Sequence, residues 1–169
     1  MKDGNLLIAH NKDSFEIKVS GRANFEYGVP LRTFAQSLEQ QNIKNLSINL
    51  ADCLGMDSTF MGVLTMLALK LKRANTTIEI LNISEQNHEL LHALGIHKLF
   101  TFTDKTAQTE LAPVEIKRAP NKQLDTAKTV FEAHDTLMQA DKENIKKFEQ
   151  VTKFAREDAE RLTKAENKN

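Results

Sequence analysis

Short stretches in which apolar residues run together or alternate with polar ones predict the strands of this protein. The sequence "FEIKVS" places Phe15, Ile17 and Val19 on one face, which is typical of a sheet with one side in water. By similar reasoning we predict strands at residues 6–9, 15–20, 46–50, 77–83 and 97–103.

Apolar residues at helical spacing separate these strands. In "PLRTFAQSLEQQ" they recur every three or four residues, and Pro30 is expected in the first turn, where its missing N–H has no helical partner. "DSTFMGVLTMLALKLKR" predicts the strongest helix of this part, and "SEQNHELLHAL" predicts a helix capped by Ser84 and ended by Gly95. Alternating strands and helices predict an α/β fold, with helices mainly on one face of the sheet.

The composition changes near residue 111 and divides the chain. We predict a domain over residues 1–111 and a linker over residues 112–123, where Pro113 and Pro120 interrupt regular structure. Residues 124–169 contain neither glycine nor proline and predict a charged helical tail, a C-terminal α-helical extension of the domain.

In this tail the apolar residues follow alternating three- and four-residue steps, with polar interruptions at Asp141 and Thr152. Such a pattern indicates a discontinuous coiled-coil seam. Two interpretations stay open: a helix that is solitary or folds back on the domain, and a helix that dimerises the chain or docks a partner. His134 lies on the seam and is interpreted as a tolerated polar residue.

Charge and composition narrow the function classes. Lys+Arg and Asp+Glu are equal at 23 each, so the broad basic field that drives nucleic-acid binding is absent from the sequence. Cys53 is the single cysteine, which rules out an intramolecular disulfide. The sequence contains no apolar run long enough for a signal peptide or a transmembrane segment. We therefore expect a cytoplasmic protein that binds neither nucleic acid nor membrane.

The stretch "HELLHALGIH" contains the H-E-x-x-H signature of zinc peptidases. On a helix, the leucines and Asn87 form the inward stripe, whereas His88 and His92 should face solvent. His97 is expected in or at the start of a strand, one residue short of the longer zinc-protease spacing. A hydrolytic zinc site needs three protein ligands and a sheltered cleft. We therefore predict no metal site, and a metallopeptidase remains only a rival interpretation.

The stretch "LADCLGMDSTFMGVL" carries more information. A strand is expected to end at Leu50 and a short loop to follow. Asp57 and Ser58 then stand at the start of an apolar helix, where either side chain is a natural N-cap. Gly62 would allow the helix to lie close to a neighbour. The structural explanation suffices by itself, but a serine at an exposed helix N-terminus is also a good phosphoacceptor. A phosphate there would change the surface, and hence partner docking, without unfolding the domain.

Taken together, "VSGRA", "LSINLADCLGMDSTFMGVL" and "LLHALGIHKLF" resemble a STAS domain, and more narrowly the bacterial anti-sigma factor antagonists. The resemblance covers about residues 5–104. It implies a mixed β-sheet with helices mostly on one face, and a phosphorylatable serine at Ser58 preceded by the family's aspartate at Asp57.

The resemblance also implies a function. Unphosphorylated antagonists capture an anti-sigma factor that is also a serine kinase, phosphorylation by that kinase reverses the capture, and a serine phosphatase resets it. The protein would then be a substrate and binding module, with no enzymatic activity or cofactor of its own. The rival interpretation is a STAS scaffold without a phosphate cycle, which oligomerises through its tail.

This sequence departs from the family pattern at two places. Phe60-Met61-Gly62 replaces a common Gly-Leu-Gly, and Phe60 is interpreted as a core anchor before a partner contact. In "GRAN", Asn24 stands where an acid is expected, which leaves the identity of the partner open. The predicted partner-binding loop around Ser58 comprises Asp57, Thr59, Phe60, Met61, Gly62, Gly21 and Asn24.

Overall fold

A computed structural model describes residues 4–38, 41–105, 114–118 and 122–168. Within these residues six strands form one sheet in the order β5-β4-β3-β2-β1-β6. The strands are β1 Asn5–Asn11, β2 Ser14–Ala23, β3 Asn45–Met56, β4 Thr77–Leu81, β5 Thr101–Thr103 and β6 Val114–Ile116.

The sheet is mixed, as the resemblance implies. β1 pairs antiparallel with both β2 and β6, whereas β2, β3, β4 and β5 run parallel to one another. Along β2, Phe15, Ile17 and Val19 are buried and the residues between them are half-exposed. The alternation in the sequence therefore identifies the face of the sheet that carries the core.

Five α-helices lie in the described parts of the chain: α1 Phe25–Ser37, α2 Ser58–Arg73, α3 Glu85–Ala93, α4 Gln123–Ala140 and α5 Asn144–Glu166. The core holds the apolar faces of α1 and α2 against the sheet and also takes in Ala133 and Leu137 of α4. None of the described helices is long and apolar enough to cross a membrane.

The start of α1 differs from the expectation. The helix begins at Phe25, so Pro30 is its sixth residue and not part of the first turn. Asn24 explains the earlier start, because its side-chain oxygen accepts the Glu26 N–H at 3.1 Å and caps the helix. In the helix interior, Pro30 removes the usual donor to the carbonyl of Glu26, and its ring crowds the same carbonyl.

Other predicted boundaries are also wrong. β3 continues to Met56, so the loop expected after Leu50 is a strand that pairs with β2. Residues 97–103 are not one strand, because His97–Leu99 form a 3₁₀ turn and only Thr101–Thr103 pair with β4. The predicted linker contains a strand, Val114–Ile116, which pairs with β1 at Leu6–Ile8. Three paired residues are too few for periodicity to reveal. The flanking Pro113 and Pro120 lie outside the described residues.

The predicted helical tail consists of two helices. α4 ends at Ala140, and Asp141 leaves the helical conformation and accepts the Glu143 N–H through its side chain. α5 then returns along α4. The tail folds back on the domain, since α4 packs against α1 and α2. Dimerisation or docking of a partner through the tail stays a prediction.

Candidate functional site

Asp57 sits at the junction of β3 and α2 and caps two helices at once. Its Oδ1 accepts the Phe60 N–H at 2.8 Å, which caps α2. Its Oδ2 accepts the Phe25 N–H at 2.7 Å, which ties the first residue of α1 to the same point. Burial raises the pKa of the Asp57 carboxyl, and the Phe60 and Phe25 N–H groups act against that shift. One carboxylate thus fixes where both helices begin.

Ser58 is the first residue of α2 and is half-buried. Its hydroxyl oxygen lies 2.8 Å from Nε2 of His134 on α4. The other ring nitrogen, Nδ1, lies 2.8 Å from the Val130 carbonyl, which can only accept a hydrogen bond. Nδ1 therefore carries the proton of the neutral ring, and the Ser58 hydroxyl donates to Nε2.

His134 is held in an apolar setting that favours this neutral form. Its side chain is 3% exposed, and its ring packs against Phe148 of α5 with centroids 4.9 Å apart. Burial lowers the pKa of His134, while the Val130 carbonyl and the charge of Asp57 act in the opposite sense. The contact with Ser58 is thus built from a buried, uncharged imidazole.

The residues that follow Ser58 face inward. Phe60 is fully buried and Met61 is 5% exposed, so both belong to the core and neither is presented to a partner. Thr59 is buried as well, with its methyl carbon 3.4 Å from where a Cβ on Gly28 would stand. These three members of the predicted partner-binding loop are packing residues in this structure.

Gly62 allows the close approach that its position in the sequence indicates. A Cβ added there would lie 2.5 Å from the carbonyl oxygen of Ala133. α4 therefore packs on α2 with backbone against backbone, one helical turn beyond Ser58. Because Ser58 and Gly62 are four residues apart, they share the face of α2 that α4 covers.

Gly21 and Asn24 lie on the neighbouring strand and the loop that follows it. Gly21 has a φ of 70° and pairs with Cys53 where the register of β2 and β3 shifts, a conformation that favours glycine. Asn24 lies between Ala23, whose carbonyl accepts the Asp57 N–H at 3.0 Å, and Phe25. The loop with Asn24 thus borders the start of α2, but the side chain of Asn24 caps α1.

The structure adds residues that the sequence pattern did not select. Phe25, the first residue of α1, is 47% exposed, and Leu54, near the end of β3, is 57% exposed. Hydrophobic exposure cannot be read from periodicity, because both residues look like ordinary members of strand and helix. His134 had a signal, its place on the apolar seam, but its partner Ser58 is 76 residues away.

The zinc-like stretch forms α3 as expected. Asn87 and Leu91 are buried, whereas His92 is exposed and His88 is half-exposed with its ring 4.8 Å from that of Phe102. His97 lies in the 3₁₀ turn rather than in a strand, where it stacks on His92. Across the described residues, no group of three histidine, cysteine or acidic side chains is arranged to hold a metal ion.

Comparison with known proteins agrees with this architecture. The family model of the STAS domain matches residues 5–110. The unphosphorylated anti-sigma factor antagonist SpoIIAA superposes with a TM-score of 0.52 at 16% identity, covering 60% of this chain and 89% of that one. The phosphorylated form of SpoIIAA, described as the Bacillus cell fate determinant, gives the same TM-score and identity over 60% of this chain and 91% of that chain.

At this level of identity the likeness to SpoIIAA shows the fold alone. No curated protein matches this chain in sequence. The STAS model covers more than half of the chain, which confirms the resemblance seen in the sequence. This protein belongs to the STAS domain family.

Proposed function

We propose that this protein is a cytoplasmic anti-sigma factor antagonist that switches partners through phosphorylation of Ser58. Unmodified, it would bind an anti-sigma factor that is also a serine kinase. Phosphorylated, it would release that partner, and a serine phosphatase would restore binding. The protein itself would be a substrate and a binding module without enzymatic activity.

The observation that carries this proposal is the position of Ser58. It is the first residue of α2, and the preceding Asp57 is fixed by N–H groups from α1 and α2. A hydroxyl held at a helix start on a rigid support can be modified without unfolding the sheet on which it stands. The fold likeness to SpoIIAA, whose structure is known in unphosphorylated and phosphorylated forms, supports control by phosphorylation.

We infer a docking surface beside this hydroxyl. Phe25, the first residue of α1, and Leu54, near the end of β3, expose large apolar side chains. Apolar groups of this size surrounded by polar ones are typical of protein-binding surfaces. A doubly charged phosphate added at Ser58 would stand close to both the apolar contacts and the Asp57 carboxylate, which disfavours docking of the same partner.

The test is phosphorylation by a defined kinase. Each serine kinase of the histidine-kinase-like ATPase type encoded in the same genome is purified and incubated with the full chain and radiolabelled ATP, and the product is mapped by mass spectrometry. We expect one phosphate, on Ser58, and no incorporation into Ser58→Ala. A kinase that labels Ser58→Ala as well as the unaltered chain would overturn the assignment.

The second candidate function is a scaffold without a phosphate cycle, and one observation favours it. The hydroxyl of Ser58 is already engaged by His134, and α4 covers that face of α2. Under this alternative, Ser58→Glu would leave partner capture unchanged. Light scattering would also show a dimer that is lost when the helical tail is disrupted by Ala155→Glu.

A further inference from the structure

We propose that α4 is an intramolecular cover of the Ser58 surface, and that docking of α4 on α2 and a phosphate on Ser58 exclude each other. This inference deepens the proposed function, because it assigns a regulatory role to the C-terminal helices at the same site. It rests on the proposed function only for the identity of the modification. The geometry on which it depends is independent of any kinase.

The space around the hydroxyl of Ser58 is taken up by His134. The oxygen of Ser58 lies 2.8 Å from Nε2 of His134, which is hydrogen-bond distance. A phosphoryl group bonded to this oxygen places a phosphorus atom and three further oxygens around it. These atoms and the imidazole cannot occupy the same volume, so one of the two must move.

The His134 side chain cannot move away from Ser58 while α4 stays docked on α2. Its Nδ1–H is bonded to the Val130 carbonyl on its own helix, and Phe148 closes the other side of the ring. The side chain is 3% exposed, so it has no solvent-filled space into which to rotate. A phosphate that stays on the α4 side of Ser58 therefore displaces the helix that carries His134.

The charges around Ser58 also disfavour a phosphate in the docked state. A phosphate at the start of a helix is usually stabilised by free N–H groups. Here Oδ1 of Asp57 already accepts the Phe60 N–H, so the phosphate meets a carboxylate where it would otherwise find a donor. Esterification also removes the proton that the Ser58 hydroxyl donates to Nε2 of the neutral imidazole, so the hydrogen bond between α2 and α4 at this point is lost. Both effects favour departure of α4.

α4 also blocks access to Ser58 from one side. The backbone of Ala133 lies against Gly62, on the same face of α2 as Ser58. Arg32 of α1 also holds α4 through two hydrogen bonds of 2.6 Å to the Glu132 carboxylate. A kinase that reaches Ser58 across this face has to release α4 first. Docking of α4 therefore weakens binding of the kinase by the same factor by which the bound kinase weakens docking of α4.

The experiment places phosphoserine at position 58 of the full chain by genetic code expansion and measures amide hydrogen exchange by mass spectrometry. We expect exchange of α4 amides, residues 123–140, to become at least about tenfold faster, while β2 and β3 stay protected. Phosphoserine at Ser37, an exposed residue at the end of α1, is the matched control and should leave α4 unchanged.

A second pair of chains tests whether His134 is the coupling residue. In His134→Ala the space around the hydroxyl is open, so phosphoserine at position 58 should change α4 exchange by less than about threefold. An undiminished effect in this background would contradict the role of His134. The chain that keeps His134 gives the other decisive result. If phosphoserine at position 58 of that chain leaves α4 exchange unchanged, makes it slower, or removes protection throughout the sheet, the proposal is overturned.

These outcomes are separate from those of the kinase experiment. Since no kinase is used, faster α4 exchange supports the cover even if every kinase fails to label Ser58. Conversely, efficient labelling of Ser58 with α4 exchange unaffected would support the proposed function and overturn the cover.

Discussion

The carbonyl oxygen of Ala133 lies 2.5 Å from the place that a Cβ on Gly62 would occupy, so α4 and α2 meet at backbone distance. The carbonyl carbon of Ala133 would be only 2.7 Å from the same Cβ. Neither atom is the end of a flexible side chain, so the pair sets how closely the C-terminal helices cover the STAS domain.

Replacing Gly62 with alanine should therefore destabilise the protein. Helix propensity alone would favour alanine by about 1 kcal/mol. Overlap with the Ala133 backbone should outweigh this gain and lower the free energy of unfolding by about 1–2 kcal/mol, as measured by urea denaturation. Gly55→Ala is the matched control, because its nearest neighbour is the end of the Arg22 side chain at 3.9 Å. Equal urea midpoints for the two variants would show that α4 does not approach α2 as described.

The two oxygens of Asp57 should have separable effects on stability. Asp57→Ala leaves the N–H groups of Phe60 and Phe25 without their acceptors and should cost about 2 kcal/mol of unfolding free energy. Asp57→Asn keeps one acceptor oxygen and should cost about half as much. Ser84→Ala removes the single cap of α3 and serves as a control near 1 kcal/mol. An alanine variant no less stable than the Ser84→Ala variant would contradict the double cap.

Stability should fall as the pH is lowered through the ordinary pKa of histidine. Burial lowers the pKa of His134 from 6.5, so below that pH the unfolded chain binds a proton that the folded chain resists. The contribution of His134 to the free energy of unfolding is complete above pH 6.5. It declines by up to about 1.4 kcal/mol per pH unit as the pH falls toward the pKa of the folded state. Urea denaturation of His134→Gln should show a shallower decline than the unaltered chain.

Two other groups act in the same experiment and are distinguished by variants. Burial also lowers the pKa of His97, so His97→Gln should remove only its own part of the decline and keep that of His134. The raised pKa of Asp57 works in the opposite sense above pH 3.8, since stability then falls as the pH rises through the folded value. An identical pH dependence for His134→Gln and the unaltered chain would contradict a buried neutral imidazole.

The ion pair between Arg32 and Glu132 should help to hold α4 on α1. The Arg32 guanidinium donates two hydrogen bonds of 2.6 Å to the Glu132 carboxylate, and the Arg32 side chain is 15% exposed. A double-mutant cycle with Arg32→Met and Glu132→Gln should give a coupling energy of about 1 kcal/mol, discounted for the partly exposed carboxylate. The exposed pair of Arg161 and Asp158 is the control and should give about 0.3 kcal/mol. Equal coupling in the two cycles would contradict a structural role for the bidentate pair.

Local sequence patterns predicted the positions of β1 to β4 and the start of α2, because these depend on near neighbours. The alternation in "FEIKVS" reports burial on one face, and Asp57 before an apolar run reports a helix start. The sequence did not predict the start of α1 at Phe25, because Pro30 rather than the Asn24 cap was interpreted as the mark of the first turn.

The relationship between the tail and the site could not be predicted in this way. The hydrogen bond from Ser58 to His134 spans 76 residues, and no local period encodes a contact of that separation. A histidine on an apolar seam indicates only that its ring is buried, without identifying what it contacts. Similarly, Gly62 predicts a close neighbour, and the structure is needed to identify it as Ala133.

The affinity of the kinase that modifies Ser58 is the most direct test of the phosphorylation switch. Isothermal titration calorimetry would compare its binding to the unmodified full chain and to the chain with phosphoserine at position 58. We expect the phosphorylated chain to bind at least about a hundredfold more weakly, a loss of about 2.7 kcal/mol. Equal affinities for the two chains would contradict a switch at Ser58.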